Sequence, residues 1–222
     1  MKLKSFGCSF VWGNEMRDTT PTQASNNTWP ALLAQHLKLP YECHAQAGHG
    51  NFSITNQVLD QIATDEPALY VINWTWIDRF DYLDPNYQDG RWNTFRPGAH
   101  GAGNRYRPES TFYYRCIHSE LRDKLTSLQN IKLVAMELES VGQPFIMTYM
   151  DDLLFDQRWN TTPSMLKQQE YLKSRMHTFN GDNMVEYAKN NGHNITPAAH
   201  PLEPAHRDLF NYALTNFGVD KI

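Results

Sequence analysis

Short apolar runs alternate with longer segments of helical periodicity, and this alternation most constrains the fold. The run ALYVINWTW, 68–76, is apolar and β-branched, as in a strand that is buried on both faces. Strands that alternate with helices predict an α/β fold with three layers, in which helices cover both faces of a parallel sheet. The other expected strands are 3–8, 41–46 and 144–150, and the expected helices are 28–38, 51–63, 111–139, 163–177, 181–190 and 203–217.

The length and composition favour one globular domain, 1–222. A chain of 222 residues with 41% hydrophobic and 20% charged residues lies in the globular range. The sequence has no apolar run of about 18 residues and no secretory signal pattern, so we expect a cytoplasmic protein without a membrane partner. A net charge of -4 without a basic run argues against nucleic acid as a partner.

Cysteine and histidine spacing give little support for a metal or a disulfide framework. The three cysteines, Cys8, Cys43 and Cys116, are an odd number without CxxC spacing. Three histidines and two aspartates could in principle assemble a metal site, but no HExxH-like helical spacing is present. We therefore predict no metal and no cofactor; the residues considered are His193, His200, His206, Asp151 and Asp152.

The segment 75–110 is too long for an ordinary connection and is predicted to be an insertion after the third strand. The stretch from Trp74 to Tyr114 holds 11 of the 28 aromatic residues in 41 of the 222 positions, which favours a packed insertion over a loose linker. Its aromatic and arginine residues could form a platform for a sugar or an acidic substrate, or could be ordinary packing. They are Trp76, Tyr82, Trp92 and Tyr106 with Arg91, Arg96, Arg105 and Arg107.

Three loops carry chemistry-bearing residues toward one edge of the predicted sheet. In SFGCSFVWG, Ser9 follows the first strand, where ligands bind in parallel sheets, although a serine that caps a turn is an equal alternative. AGHGNFSI, 47–54, follows the second strand and opens a helix with glycines that allow close backbone approach. HNITPAAHPLEPAH, 193–206, brings His200 on a late loop as a candidate general base, while His193 and His206 favour surface or capping roles.

This ordered set resembles the SGNH (GDSL-type) hydrolase family. The family's blocks appear as FGCSF for the nucleophile, AGHGN for the glycine, VINWTWIDRF for the third strand and its loop, and HPLEPAH for the histidine. The forms FGCSF and WTxxxR resemble a divergent branch common in bacteriophage and environmental genomes. The resemblance implies a flavodoxin-like SGNH-hydrolase fold and a carboxylic ester hydrolase.

The resemblance also implies roles for individual residues. Ser9 would attack an acyl carbon, and His200, followed by Pro201, would be the base. The N–H groups of Ser9 and Gly48 would hold the oxyanion, with Asn51 as the first candidate for a side-chain donor and Thr75 and Asn73 as alternatives. Arg79 would clamp a substrate anion or pair with a neighbouring aspartate, and further substrate contacts are predicted for Trp74, Thr75 and Trp76.

The sequence departs from the family where the acid is expected. The position three residues before His200 is Pro197, so another acceptor must orient the histidine, or the enzyme is a Ser-His dyad, or it is weak or inactive. We expect a serine esterase acting on a small ester, such as a carbohydrate O-acetyl group; the alternative is a catalytically impaired binding or virion-associated structural protein. The candidate acceptors are Glu203, Asp208, Asp151, Asp152 and a backbone carbonyl.

Overall fold

The structure, a computed structural model, describes residues 1–84, 92–97, 108–158 and 162–219. Its central sheet has four parallel strands in the order β2-β1-β3-β6. The strands are β1 (Lys2–Phe6), β2 (Tyr41–Cys43), β3 (Ala68–Trp74) and β6 (Phe145–Tyr149). All four predicted strands are present, and the parallel α/β prediction is confirmed.

Helices cover both faces of this sheet and bury two apolar clusters. One cluster joins the sheet to α2, α7 and α8 and includes Trp29, Leu33 and Leu209, all fully buried. The other joins it to α3, α5 and α6 and includes Ile54 and Leu128. The helices are α1 (Ser9–Trp12), α2 (Trp29–Leu37), α3 (Asn51–Ile62), α4 (Pro108–Phe112), α5 (Glu120–Ser140), α6 (Pro163–Lys173), α7 (Met184–Asn190) and α8 (Glu203–Asn216), with a 3-10 turn at Asp152–Leu154.

The strand order places a crevice beside β1. Because β2 and β3 pair with opposite edges of β1, the connections that leave the sheet there run in opposite directions. Such a switch point leaves an opening at the carboxyl ends of the strands, where ligands bind in parallel sheets. The loop after β1, which carries Ser9, lies at this opening.

The predicted helix 111–139 is wrong in its continuity. α4 passes into a π-helical turn at Tyr113–Ile117, and the chain is extended at Ser119 before α5 begins. The Ser119 hydroxyl accepts a hydrogen bond from the Arg122 N–H at 3.4 Å, which caps the new helix. A serine at this position is a start signal that apolar periodicity alone does not show.

Part of the insertion folds as a small hairpin, β4 (Phe80–Leu83) paired antiparallel with β5 (Trp92–Phe95). Its aromatic rings pack on one another and on Tyr113, with centroids 4.3 Å apart for Phe80 and Tyr113. This agrees with a packed insertion. Within the described residues, no helix is long and apolar enough to cross a membrane.

The buried His206 makes stability depend on pH. Its Nδ1 accepts the Trp29 N–H at 3.2 Å at the start of α2, and burial lowers its pKa from the ordinary 6.5 to about 3. As pH falls, His206 takes up a proton in the unfolded chain before it does so in the folded protein. The contribution of neutral His206 to the free energy of unfolding is therefore complete above the unfolded pKa of 6.5 and decreases as pH drops toward the folded pKa of about 3.

We expect the His206→Asn variant, which keeps an acceptor for Trp29, to lose this part of the pH dependence. Between about pH 7.5 and 5, the free energy of unfolding of the parent should fall by about 2 kcal/mol more than that of the variant. Urea denaturation at both pH values measures the difference. Burial also lowers the pKa of His49 to about 4, but His49 contributes to the pH dependence of both proteins alike and cancels in the comparison. Equal pH slopes of the two proteins would therefore contradict the prediction.

Candidate active site

Ser9 is placed at the switch point by a glycine turn and a short helix. Gly7 has φ +155°, and a Cβ added there would lie 2.8 Å from the Val11 Cγ2, so a larger residue would displace α1. Ser9 is the first residue of α1, one position after the N-cap Cys8, and its hydroxyl bonds to a histidine of a late loop and not to this helix. The hydroxyl therefore faces the loops of the sheet edge instead of closing its own turn.

The loop before α8 brings His200 to this hydroxyl. An antiparallel bridge between Ile195 and Pro201 and a bond from Thr196 N–H to the His200 carbonyl, 3.0 Å, make the loop a tight hairpin. The His200 Nε2 lies 2.9 Å from the Ser9 Oγ. This is hydrogen-bond distance for a nucleophile and its base.

The carboxylate behind the imidazole belongs to Glu15. Its Oε2 lies 2.5 Å from the His200 Nδ1 and accepts the Thr196 hydroxyl, also at 2.5 Å. Thr196 in turn accepts the His200 backbone N–H at 3.1 Å. Serine, imidazole and carboxylate thus form one continuous hydrogen-bonded chain.

The protonation of this chain follows from its acid. Hydrogen bonds from Thr196 and His200 lower the pKa of Glu15, so its carboxylate is ionised and can only accept. The His200 Nδ1 must then carry the proton that bonds to Glu15. The Nε2 is left with its lone pair toward the Ser9 hydroxyl, which is the tautomer a general base requires.

Glu15 reaches the histidine through a sharp turn after the nucleophile's own helix. Gly13, φ +81°, ends α1, and Glu15 itself has the left-handed φ of 67°. A non-glycine residue in this conformation costs energy and is held in place by its surroundings, here by the bonds to Thr196 and His200. Sequence analysis did not find Glu15, because nothing in the spacing from Ser9 shows that the chain doubles back.

The acceptors expected from sequence have other surroundings. Glu203 accepts the Arg17 N–H at 2.9 Å, and Asp208 pairs with His193 at 2.9 Å. Asp151 accepts the Ile77 N–H at 3.0 Å and caps the 3-10 turn that Asp152 opens. The acid missing at Pro197 is replaced by a carboxylate from the first loop, which corrects the expectation of these four residues.

The segment AGHGN, 47–51, which we call the glycine loop, lies against the loop that carries Ser9. The Gln46 N–H donates to the Gly7 carbonyl at 3.1 Å, and Gly48 follows with φ +88°. Within the described part of the chain, the N–H groups of Ser9 and Gly48 have no acceptor. Two unpaired amide donors beside a serine hydroxyl are the arrangement that can bind an oxyanion.

Asn51 is a structural anchor and not a free donor, which corrects its predicted role. It is 3% exposed, and its Oδ1 accepts the Thr75 N–H at 2.8 Å. Its Nδ2 donates to the Thr75 carbonyl at 3.1 Å and to the Ser127 hydroxyl at 3.2 Å. Both of its amide hydrogens are therefore used, one to join the glycine loop to the end of β3 and the other to join it to α5.

Two of the predicted substrate contacts lie in the core. The Trp74 ring is fully buried and its indole N–H points to the Met147 sulfur at 3.3 Å. Thr75 is also fully buried, and its hydroxyl donates to the Cys8 sulfur at 3.5 Å. Both predictions are wrong, because fully buried side chains offer no surface to a substrate. Asn73 keeps a buried Nδ2 without a partner in the described residues, while its Oδ1 accepts the Thr148 hydroxyl at 2.8 Å.

Trp76 and Arg79 lie near the catalytic chain. The Phe10 ring contacts the His200 ring with centroids 5.0 Å apart and the Trp76 ring at 5.4 Å. The Arg79 guanidinium lies 4.8 Å above the Trp76 ring and donates to the His49 carbonyl at 2.7 Å. The pairing of Arg79 with Asp78 or Asp81, an alternative from sequence, is not formed among the described ion pairs.

The predicted aromatic platform is mainly packing. Tyr82 packs on Phe95, with centroids 4.7 Å apart, and Trp92 packs on the Phe52 ring at 5.3 Å. Arg96 instead extends toward the glycine loop. Arg91, Arg105, Tyr106 and Arg107 lie outside the described residues.

Asp81 ties the hairpin to the site, and sequence analysis missed it. Its carboxylate accepts the N–H groups of Gly50 and Ser53, both at 2.8 Å, and the Thr94 hydroxyl at 2.5 Å. It therefore caps α3 from another element. Burial raises its pKa although these bonds oppose the shift.

The histidines considered for a metal are dispersed among different partners. His193 pairs with Asp208, His206 with the Trp29 backbone, and His200 with Ser9 and Glu15. No group of three or more His, Cys, Asp or Glu side chains in the described ranges is arranged to hold a metal ion.

Several solved structures are similar to this chain, and three that are described as GDSL-family or esterase proteins each cover 98% of it. They include a member of the lipolytic protein G-D-S-L family from Veillonella parvula, at 12% identity over 98% of that chain with a TM-score of 0.53. Axe2, an acetylxylan esterase from Geobacillus stearothermophilus, has 13% sequence identity over 94% of its chain and a TM-score of 0.51. EstA, a psychrotrophic esterase from a Pseudoalteromonas species, in a structure inhibited by monoethylphosphonate, has 9% sequence identity over 97% of its chain and a TM-score of 0.53.

No protein-family model and no curated protein matches the sequence. The chain therefore has the SGNH-hydrolase fold that its motifs resemble, with its helices and sheet in the arrangement of these proteins. At such identities the likeness defines the fold, and function has to be argued from the site.

Replacing Asn51 by Ala tests its anchoring role. Loss of the amide leaves the buried Thr75 N–H and carbonyl unpaired, so we expect the free energy of unfolding to fall by about 2–4 kcal/mol. Asn56→Ala on the same helix, whose amide bond is exposed, is the matched control and should cost much less. Equal stability of the Asn51→Ala variant and the parent in urea denaturation would contradict the anchoring role.

Proposed function

We propose that the protein is a serine esterase that forms an acyl-enzyme on Ser9. The observation that carries this proposal is the hydrogen-bonded chain from Ser9 Oγ through His200 to Glu15. The three groups have the order and distances that activate a serine hydroxyl. The N–H groups of Ser9 and Gly48, which have no acceptor among the described residues and lie on neighbouring loops, support the same proposal as oxyanion donors.

The reaction proceeds in two acyl transfers. The Ser9 Oγ attacks the ester carbonyl carbon while its proton passes to the His200 Nε2, and the N–H groups of Ser9 and Gly48 stabilise the oxyanion. The imidazolium, stabilised by the Glu15 carboxylate, then protonates the leaving alcohol as the tetrahedral intermediate collapses. Water, deprotonated by His200, attacks the acyl-enzyme by the reverse sequence and releases the acid with Ser9 restored.

The proposed substrates are small esters of polar alcohols, with the O-acetyl group of a carbohydrate as the leading class. A cleft of ≈ 840 Å³ opens beside Glu15, with polar side chains such as those of Asn14, Gln46, Gln57 and Asp60 in its lining. Ser9 and His200 do not line it, so in this proposal it holds the part of the alcohol that is remote from the ester. Such a lining suits a hydroxylated alcohol better than a lipid chain. The acetylxylan esterase among the structures with this fold supports the same class.

The alternative is a catalytically impaired binding or virion-associated protein, and the reason for it was Pro197 at the position where the family has its acid. That reason no longer applies, because the Glu15 carboxylate, from a different loop, bonds to His200. A Ser-His dyad is likewise not required. The forms of the motifs suggest a bacteriophage or environmental origin, which stays a prediction and plays no part in the proposed chemistry.

Activity-based labelling tests the nucleophile directly. A fluorophosphonate probe should form one adduct on Ser9, located by mass spectrometry, and the protein should hydrolyse para-nitrophenyl acetate. Ser9→Ala should lose both signals, since it removes the attacking oxygen. Absence of labelling at Ser9 together with equal hydrolysis by the Ser9→Ala variant would refute the proposal.

Replacing Glu15 by Gln tests the acid that sequence analysis missed. The amide can no longer stabilise the imidazolium or impose the reactive tautomer, so we expect kcat to fall about 10²- to 10⁴-fold with KM nearly unchanged. Fluorophosphonate labelling of Ser9 should slow in parallel, while the melting temperature changes little because Glu15 lies at the surface. Glu203→Gln, the acid proposed from sequence, is the matched control; loss of kcat in that variant alone would assign the role to Glu203.

A further inference from the structure

Arg79 and Arg96 lie beside the glycine loop, and neither has a carboxylate partner among the described residues. The ion pairs of the described residues include Arg122 with Asp123 and Arg175 with Glu139, but none formed by Arg79 or Arg96. Arg79 uses one of its five N–H donors on the His49 carbonyl. The Cys8 sulfur is a second hydrogen-bond partner of Arg79, and the described residues supply no carboxylate ion pair for its remaining donors or for those of Arg96.

The two guanidinium groups converge on the same loop. A Cβ added at Gly48 would lie 3.4 Å from the Cζ and from one terminal nitrogen of Arg96. The Arg79 Nη1 lies 2.7 Å from the carbonyl of His49, the residue between Gly48 and Gly50. Arg96 comes from the end of the insertion hairpin and Arg79 from its start, so the hairpin delivers both.

Both charges also act on the residues next to the nucleophile. Burial lowers the pKa of Arg96, and the charge of Arg79 lowers it further. For the Cys8 thiol, burial raises the pKa and the charge of Arg79 lowers it, with a net downward shift. Cys8 precedes Ser9, so the charge of Arg79 acts on the residue next to the nucleophile.

The neighbouring aspartates form no ion pair with either arginine among the described residues. The Asp81 oxygens are bonded to Gly50, Ser53 and Thr94. Burial raises the pKa of Asp78 and of Asp81, and the charge of Arg79 opposes both shifts, so the arginine acts on these carboxylates at a distance without a direct bond. Two partly buried guanidinium groups held together repel each other, and an oxyanion between them relieves the repulsion with paired, charge-assisted hydrogen bonds.

We propose that Arg79 and Arg96 bind an anionic group of the substrate, a carboxylate or a phosphate, within a few bonds of the ester that Ser9 attacks. This inference rests on the proposed function and narrows its substrates to acidic esters. Trp76 forms the apolar wall beside the anion, since it packs between Phe10 and the Arg79 guanidinium. An acidic carbohydrate with an O-acetyl group and an acyl group with a free carboxylate both satisfy this chemistry.

Matched esters that differ only in charge test the proposal. Para-acetoxybenzoate against its methyl ester places the charge on the alcohol side, and para-nitrophenyl hemisuccinate against its methyl ester places it on the acyl side. Para-acetoxyphenyl phosphate compares a phosphate with the carboxylate. We expect kcat/KM to favour the anion in at least one pair by on the order of 10- to 100-fold, the strength of hydrogen bonds to a charged group.

Variants assign the preference to the two arginines. In Arg79→Gln and Arg96→Gln, the ratio of kcat/KM between the anionic and neutral ester should fall toward one, and Arg96→Lys should retain part of it. Arg207→Gln, an exposed arginine on α8, is the matched control and should keep the parent ratio. A parent ratio near one in every pair, or equal losses on charged and neutral esters in the variants, would overturn the proposal.

Binding to Ser9→Ala separates this inference from the proposed function. Calorimetry should show that this variant binds the preferred anionic ester and not its methyl ester, and that adding Arg96→Gln weakens binding about 10-fold or more. Ser9-dependent hydrolysis without discrimination by charge would refute the anion site alone. Hydrolysis that survives Ser9→Ala would refute the proposed function. The calorimetric comparison of the anionic ester with its methyl ester would still test the arginines in that case. Equal binding of the two esters would refute the anion site.

Discussion

The hydrogen bond between His200 and Glu15 is the interaction on which the site depends. It fixes the imidazole tautomer, holds the ring toward Ser9 and closes the first loop onto the last one. Its partner Thr196 bonds both to Glu15 and to the His200 backbone, so the carboxylate and the histidine loop position each other. A carboxylate with two donors on one oxygen remains charged, which is the condition for stabilising an imidazolium.

Buried polar side chains do for the loops what apolar packing does for the sheet. Asn51 joins the glycine loop to the end of β3, and Asp81 joins the insertion hairpin to the first turn of α3. Each buried backbone group that they satisfy would cost about 1–3 kcal/mol if left unpaired. The amide donors of the crevice and the two arginines beside it are thereby held in a fixed relation to Ser9.

The sheet and the pairing of Ser9 with His200 could be reached from the sequence, but the surroundings of the pair could not. Period-two and period-3.6 patterns report which residues are buried, and all four strands of the sheet followed from them. The same apolar signal misassigned Trp74, because burial in the core and contact with a substrate both select a large aromatic ring. Asn51 was misassigned for a related reason, since an amide near a nucleophile can donate to a ligand or to its own backbone.

The sequence by itself determined a parallel α/β sheet, the loops that end on its functional edge, and the serine and histidine that those loops carry. Local periodicity and the short range of strand and turn signals suffice for the sheet and the loops, while the choice of Ser9 and His200 also needed the resemblance to the SGNH family. Only the tertiary structure decided that Glu15 supplies the carboxylate and that Asn51 is an anchor. It also decided that Arg79 and Arg96 converge on the glycine loop. These outcomes depend on turns such as the left-handed conformation at Glu15, where a few torsion angles decide which distant residue a side chain meets.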